Sequence, residues 1–408
     1  MTRLPSVPSS LRRRTTAAAS ALFVVGLDSV VLLLRALLRV LWRPLRTGVT
    51  GAPGMGGGRK RVLFVRPDAL GDLVLWSASF PALTQIYPKT DYAWVWVGQP
   101  AQEEFAGLFG LFDETVVVDA RRFQATSSLG YRLRTMWRLS GLSGEVVIHP
   151  VRSRTFLVGD ALARALAAPV KIASRGDTSN SPRWQLRLGD RFYTRLLSWT
   201  GPGHELQFTA EFMAQLGGAD GIVPNPALRA IAMREIAMQA RGPDIAEPYF
   251  VVLPGAGWEG REWGVPRFVA AAGLIQQDNG WLCVWAGSAD ERRRLSPSLE
   301  PAQLRAVDLI GKTSTVELLR LIAGARMVLT NEASGAHLGA ACGVPTVVIA
   351  GGGHVDRFVP WGSMTTVMNT MPCFGCNWDC IHPPRSHEPV PCIASIDVAQ
   401  VPQRAGQR

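Results

Sequence analysis

The chain has 408 residues, 47% of them hydrophobic and 18% charged, which is room for about two domains of common size, each with its own core. Its formal charge of +11 is uneven: residues 1–61 hold ten Arg and one Lys against a single acid, Asp28, so +10 sits in a tail and +1 in the body. That is unlike a nucleic-acid binder, which spreads basic residues over a folded face with aromatics between them, and six cysteines in so long a chain are unlike a disulfide scaffold.

The first predicted element is a helix, "AAASALFVVGLDSVVLLLRALLRVLWRPLR", preceded by Arg12, Arg13 and Arg14. A signal peptide shares the charged start, but no small-residue cleavage site follows a short apolar stretch. Ala17 to Leu34 approaches the ~20 apolar residues of a spanning helix, with Asp28 interrupting it. Arg35, Arg39, Arg43 and Arg46 recur at steps of 4, 4 and 3, hence on one helical face, with Leu37, Leu38, Leu41 and Trp42 away from it. This is the pattern of a helix lying in a membrane interface with arginines at anionic head groups, the alternatives being a spanning helix or one docked on the body. Residues 1–48 are therefore read as a membrane-associating segment, and the Gly-rich stretch after it as a linker, 49–58.

From residue 59 apolar strand-like runs alternate with helical patterns. "RVLFV", "AWVWVG", "TVVVD", "EVVIH" and "PVKIA" fall in residues 59–216. "YFVVLPG", "WLCVWAG", "RMVLTN", "PTVVIAGG" and a weaker "TTVMN" fall in 249–396, and 397–408 is a tail. Between them, 217–248 holds "GGADGIVPNP" and a helix-like "ALRAIAMREIAMQAR". Continuous Val/Ile/Leu runs predict parallel strands covered on both faces. The expected class is α/β, two Rossmann-like doubly wound sheets facing a cleft, with ligands beyond the strand carboxyl ends.

The chemistry-bearing motifs fall at such ends. After "RVLFV", Asp72 opens the helix "DLVLWSASFPAL"; it suits a helix cap and suits a general base equally well, with Asp68 a weaker candidate. After "YFVV", Pro254, Gly255 and Gly257 make a tight turn fit for close phosphate approach, and Arg261 a fixed positive charge beside it. Trp263 and Pro266 read as structural, the Pro starting a helix. Ser314 and Glu317 have capping-box spacing, with Gly311 and Lys312 in the loop before them. In "VLTNEASGAHLGAACGVPTVVI" a strand ends at Thr330 and a small-residue helix starts at Ser334, where free N–H groups form an anion site. Ser334, Gly335 and Ala336 leave room for a diphosphate, and Glu332 is placed to accept from sugar hydroxyls. His337, in the first helical turn, taken alone reads more readily as a packed, hydrogen-bonded histidine than as a ligand contact. No Asp-x-Asp occurs, which leaves a metal-chelating diphosphate site without support.

"ALGDLVL", "PGAGWEGREW", "DLIGKTSTVEL" and "TNEASGAHLGAACGVP", in this order, resemble glycosyltransferase family 9, the heptosyltransferases of lipopolysaccharide core assembly. The resemblance spans about residues 60 to 395 and implies a GT-B fold, with acceptor bound mainly by the N-terminal domain and nucleotide sugar by the C-terminal one. It implies an inverting, metal-independent displacement with Asp72 as base and no cofactor required. The family's basic residue before Trp falls on Arg261. Its sugar-contacting Asp falls on Glu332, a departure that puts the usual ADP-heptose donor in doubt.

Cys373, Cys376, Cys380 and Cys392 follow at steps of 3, 4 and 12, chemically capable of a structural zinc or iron–sulfur site, with His382 and His387 as competing ligands and free or disulfide-bonded thiols as the alternative. Cys283 and Cys342 read as small core residues. The expected activity is transfer of a sugar from a nucleotide diphosphate donor to a lipid-linked or core saccharide, at the cytoplasmic face of a Gram-negative inner membrane. The rival readings are a nucleotide-sugar epimerase of similar form and a non-catalytic membrane-tethered binding subunit.

Overall fold

The computed structural model describes residues 9–41, 58–199, 201, 203–217, 226–228, 231–232, 245–295, 304–382 and 388–405. The linker apart from Gly58, and most of the helix-like run at 227–241, lie outside the described residues. Two compact units result: Met1–Pro67 with Tyr87–Pro100 and Leu111–Ser198, and Asp68–Ile86 with Ala101–Gly110 and Trp199–Arg408.

The first unit is built on six parallel strands, β1 (Lys60–Arg66), β2 (Tyr92–Gly98), β3 (Glu114–Val117), β4 (Val146–His149), β5 (Val170–Ser174) and β6 (Arg195–Leu197), in the order β3-β2-β1-β4-β5-β6. That order is the doubly wound one, reversing direction between β1 and β4. In register, Phe64 of β1 lies opposite Trp96 on one side and Ile148 on the other. Val62 to Val65 are wholly buried, as expected of a central strand covered on both faces.

The second unit repeats the plan with β7 (Tyr249–Leu253), β8 (Leu282–Trp285), β9 (Ala306–Asp308), β10 (Val328–Asn331), β11 (Thr346–Ile349) and β12 (Met364–Val367), all parallel, in the order β12-β11-β10-β7-β8-β9. Its core gathers Phe250, Trp263, Phe268, Trp285, Ile349 and Ile393. The Val265–Asn279 helix starts with Pro266 in its first turn, and Trp263 is fully buried, its Nε1–H on the Ile396 carbonyl at 3.1 Å. Two strands escape the sequence reading, β6 and β9. Both are edge strands of three residues, too short and too half-exposed to leave an apolar run.

The second unit also takes in residues 68–86 and 101–110, which follow β1 and β2 in the chain. Helix α2 (Leu70–Ser77) buries Gly71 and Leu73 to Ser77 and packs on the Ser334–Ala341 helix. A boundary drawn from composition at residue 216 does not register this, because it depends on packing between segments far apart in sequence.

The N-terminal helix α1 (Ser9–Leu41) docks on the Leu129–Leu139 helix of the first unit. Asp28, an interruption in the sequence, is the fastening. Its carboxylate takes Nε of Arg132 at 2.9 Å and an Nη at 2.6 Å, both side chains at most 2% exposed. Arg132 donates further to the Phe123 and Leu157 carbonyls, and Arg164 reaches Ser29 Oγ at 2.8 Å. Arg35 is turned toward the body too, its guanidinium 4.4 Å from the Trp137 ring centroid. The side chains of Arg39, Leu41, Trp42, Arg43 and Arg46 lie outside the described residues.

Candidate active site

All nine residues singled out for catalysis and donor binding fall in the second unit. Asp72 stands in the first turn of α2, half-buried, and one carboxylate oxygen accepts the Ala69 backbone N–H at 3.1 Å. This is a capping contact, which fixes the carboxylate at the helix start while engaging one oxygen. Next to it, Gly71 meets the Ser334–Ala341 helix closely. A Cβ there would lie 2.7 Å from Cδ2 of His337 and 3.4 Å from Cα of Ser334.

The Ser334–Ala341 helix starts where expected, with Gly335 so close to Leu253 and Thr330 that a side chain would collide. Small residues thus seat the helix start on the ends of β7 and β10. His337 is 5% exposed; Trp361 donates its indole N–H to Nδ1 at 3.0 Å and stacks at 15°. With that lone pair engaged, the ring is neutral with its proton on Nε2. Burial, helped by nearby His204, pushes its pKa down to about 3.

Glu332, 4% exposed, follows β10. Burial pushes its pKa up to about 7, against the pull of Arg261 and of the Gly351 N–H that it accepts. Its Oε2 has no hydrogen-bond partner among the described residues. A buried acid with an unused acceptor beside an arginine is what a hydroxyl-bearing ligand would complete.

Arg261, from the turn after β7, lies beside Gly257, where a Cβ would be 3.3 Å from its guanidinium, and over the Trp378 ring at 5.4 Å. Trp378 packs at 6.0 Å against Trp258, its Nε1–H goes to His354 Nδ1 at 3.1 Å, and its backbone holds a left-handed φ of 63°. That conformation is strained for a large side chain. The ring is accommodated because Gly351 and Gly353 have no Cβ to meet it.

Other expected donors sit differently. The space at Gly255 is taken up by Glu291, a cap of the Ala289–Leu295 helix. Lys312 is exposed and donates to the Asp308 carbonyl at 2.8 Å. Ser314 and Glu317 form their capping box, and Glu104 accepts the Thr315 and Val316 N–H groups at the same helix start.

Sequence reasoning missed Asn331. Fully buried, it accepts the Trp263 N–H at 3.1 Å and donates to the Pro254 carbonyl at 2.7 Å, tying the loop after β7 to the end of β10. Its place before Glu332 in "TNEASG" was the available signal. Trp361 and Trp378 were also missed, since nothing local marks an indole as the partner of a histidine or an arginine far away in the chain.

The structure gives no support to the metal expectation for the C-terminal cysteines, although Cys373, Cys376 and Cys380 all lie near Cys392. Among the described residues no group of three His, Cys, Asp or Glu side chains is placed to hold an ion. Cys373, Cys376, Cys380 and Cys392 are free thiols. Cys392 is turned into the core of the second unit, and Cys380 donates to the His382 carbonyl at 3.1 Å. His387 lies outside the described residues.

Residues 160–378 match the family model described as glycosyltransferase family 9 (heptosyltransferase). Lipopolysaccharide heptosyltransferase 1 of Pseudomonas aeruginosa is 25% identical over 331 residues, covering 78% of this chain and 86% of that protein. Among solved structures, a family 9 glycosyl transferase from Veillonella parvula superposes with a TM-score of 0.61 at 17% identity, covering 86% of this chain and 98% of its own. The E. coli heptosyltransferase WaaC with ADP-2-deoxy-2-fluoro heptose gives 0.58 at 21% identity, covering 75% and 92%. These structural likenesses bear on the fold, which is of the GT-B type.

Proposed function

The chain belongs to glycosyltransferase family 9, and from that premise we propose that this enzyme transfers heptose, from ADP-heptose or a close nucleotide-diphosphate relative, to a lipopolysaccharide core or other lipid-linked saccharide. The reaction is an inverting displacement without a metal, carried out at the cytoplasmic face of the inner membrane. Asp72 takes the proton of the acceptor hydroxyl as its oxygen attacks the anomeric carbon. Arg261 and the free N–H groups at Ser334 stabilise the departing diphosphate, with Gly257 leaving room beside the guanidinium. Glu332 accepts from the donor sugar's hydroxyls.

The observation that carries this reading is the seating of Gly71 against Ser334 and His337, which keeps the turn bearing Asp72 beside the small-residue helix start. The unused Oε2 of Glu332, close to Arg261, supports the donor half. The epimerase and the non-catalytic subunit are not favoured, since the family match is to transferases.

The test is Asp72→Asn assayed for transfer and, separately, for donor binding by calorimetry. Turnover is expected to fall by about 10²–10⁴ with donor affinity nearly unchanged. Undiminished turnover overturns the role of Asp72. Product formed from donor alone, with no acceptor, overturns the transferase reading in favour of epimerisation.

A further inference from the structure

Helix α1 has two faces of opposite use. Ala21, Val24 and Asp28 are buried against the first unit, with Val31 and Leu32 packed on its core. These positions recur at three and four residues, one stripe of a helix. The opposite stripe is apolar and open: Phe23, Leu33 and Leu37 are 57–63% exposed. Of the twelve exposed large hydrophobic residues among the described residues, seven lie on α1, between Leu22 and Leu38. So dense a cluster on one element marks an interaction surface.

We propose that this stripe lies in the head-group region of an anionic lipid bilayer, with α1 parallel to the membrane and clamped to the enzyme, not crossing it. This deepens the membrane placement proposed above and rests on it only for its biological setting. Two observations choose the occupant and the mode. First, charge: Arg12, Arg13 and Arg14 precede the stripe in sequence and Arg39, Arg43 and Arg46 follow it, and the one acid of the segment, Asp28, is neutralised internally by Arg132. What faces outward is an apolar strip set in a segment of net positive charge, the complement of a surface bearing phosphate head groups. A second copy of the chain would instead bring another positive segment against it.

Second, the clamp: a helix spanning the bilayer would have to carry Asp28 into hydrocarbon and leave Arg132 buried without its partner. Lying flat, α1 keeps the pair closed and immerses only the open stripe. The first unit is thereby held at a set distance from the membrane in which a lipid-linked acceptor diffuses.

The experiment uses the full chain with extruded vesicles of phosphatidylglycerol and phosphatidylethanolamine, against vesicles of phosphatidylcholine alone, and compares the parent with Leu33→Glu/Leu37→Glu and with the milder Leu33→Gln/Leu37→Gln. The parent is expected to co-sediment with the anionic vesicles at least tenfold more strongly than with the neutral ones. Binding should weaken with salt, fall at least tenfold in the Glu variant and less in the Gln variant, and be released by alkaline carbonate. Equal binding by parent and Glu variant overturns the proposal, as does resistance to carbonate, which signals a spanning helix. A parent that self-associates in solution, with a monomeric Glu variant whose vesicle binding is unchanged, assigns the stripe to a second copy and overturns it too. Transfer to a detergent-solubilised acceptor is read in parallel: intact transfer without vesicle binding sinks this inference alone, and vesicle binding without transfer sinks only the reading above.

Discussion

Gly71 and His337 approach so closely that a Cβ on the glycine would stand 2.7 Å from the imidazole Cδ2. The ring cannot swing aside freely, because Trp361 holds its Nδ1 and covers one face. Gly71→Ala is therefore expected to push α2 off the Ser334–Ala341 helix, costing about 1–3 kcal/mol of stability and displacing Asp72 with it. Thermal unfolding and transfer rate should fall together; an alanine variant with both intact would mean that the two helices slide without consequence.

Glu332 provides a pH dependence of definite sign. An ordinary Glu carboxyl titrates at 4.5, whereas this one is raised to about 7 by burial. Between those pH values the folded chain keeps a proton that the unfolded chain has released, so stability declines as pH rises from about 4.5 to about 7, and the decline is complete above that. Glu332→Gln should flatten this slope and gain roughly 1–3 kcal/mol at pH 8. Urea unfolding of the two proteins across that range measures it, and identical slopes would show that Glu332 is not the group responsible.

Trp378 lies under Arg261, and removing its ring should loosen the guanidinium without touching Asp72. Trp378→Ala is expected to raise the donor KM by about 2- to 30-fold, the range of a cation–π contact, with kcat changed less. Trp378→Phe should recover part of the loss. A fall confined to kcat would point away from donor positioning.

The Asp28–Arg132 pair tests how α1 is fastened. Asp28→Ala leaves a buried arginine uncompensated and is expected to cost about 3–5 kcal/mol, while Asp28→Leu with Arg132→Met should recover most of it. Chemical unfolding of the full chain decides: if the single and double variants lose equally, the charge pair is not what docks the helix.

Much of this protein was legible from one dimension. Central strands buried on both faces read as unbroken Val/Ile/Leu runs, so ten of the twelve strands among the described residues could be anticipated, along with the helix starts at Ser314 and Ser334. Motif order likewise placed Asp72, Arg261, Glu332 and His337 at strand carboxyl ends, because sheet direction and strand order alone dictate where such ends lie. The tertiary structure decided what periodicity and spacing do not encode: partners distant in the chain. It alone joined α2 to the unit of the second sheet, set Trp361 on His337 and Trp378 under Arg261, left Glu332 buried enough to hold its proton, and closed Asp28 on Arg132. Desolvation and pairwise charge depend on which atoms surround a group, and that environment exists only once the chain is packed.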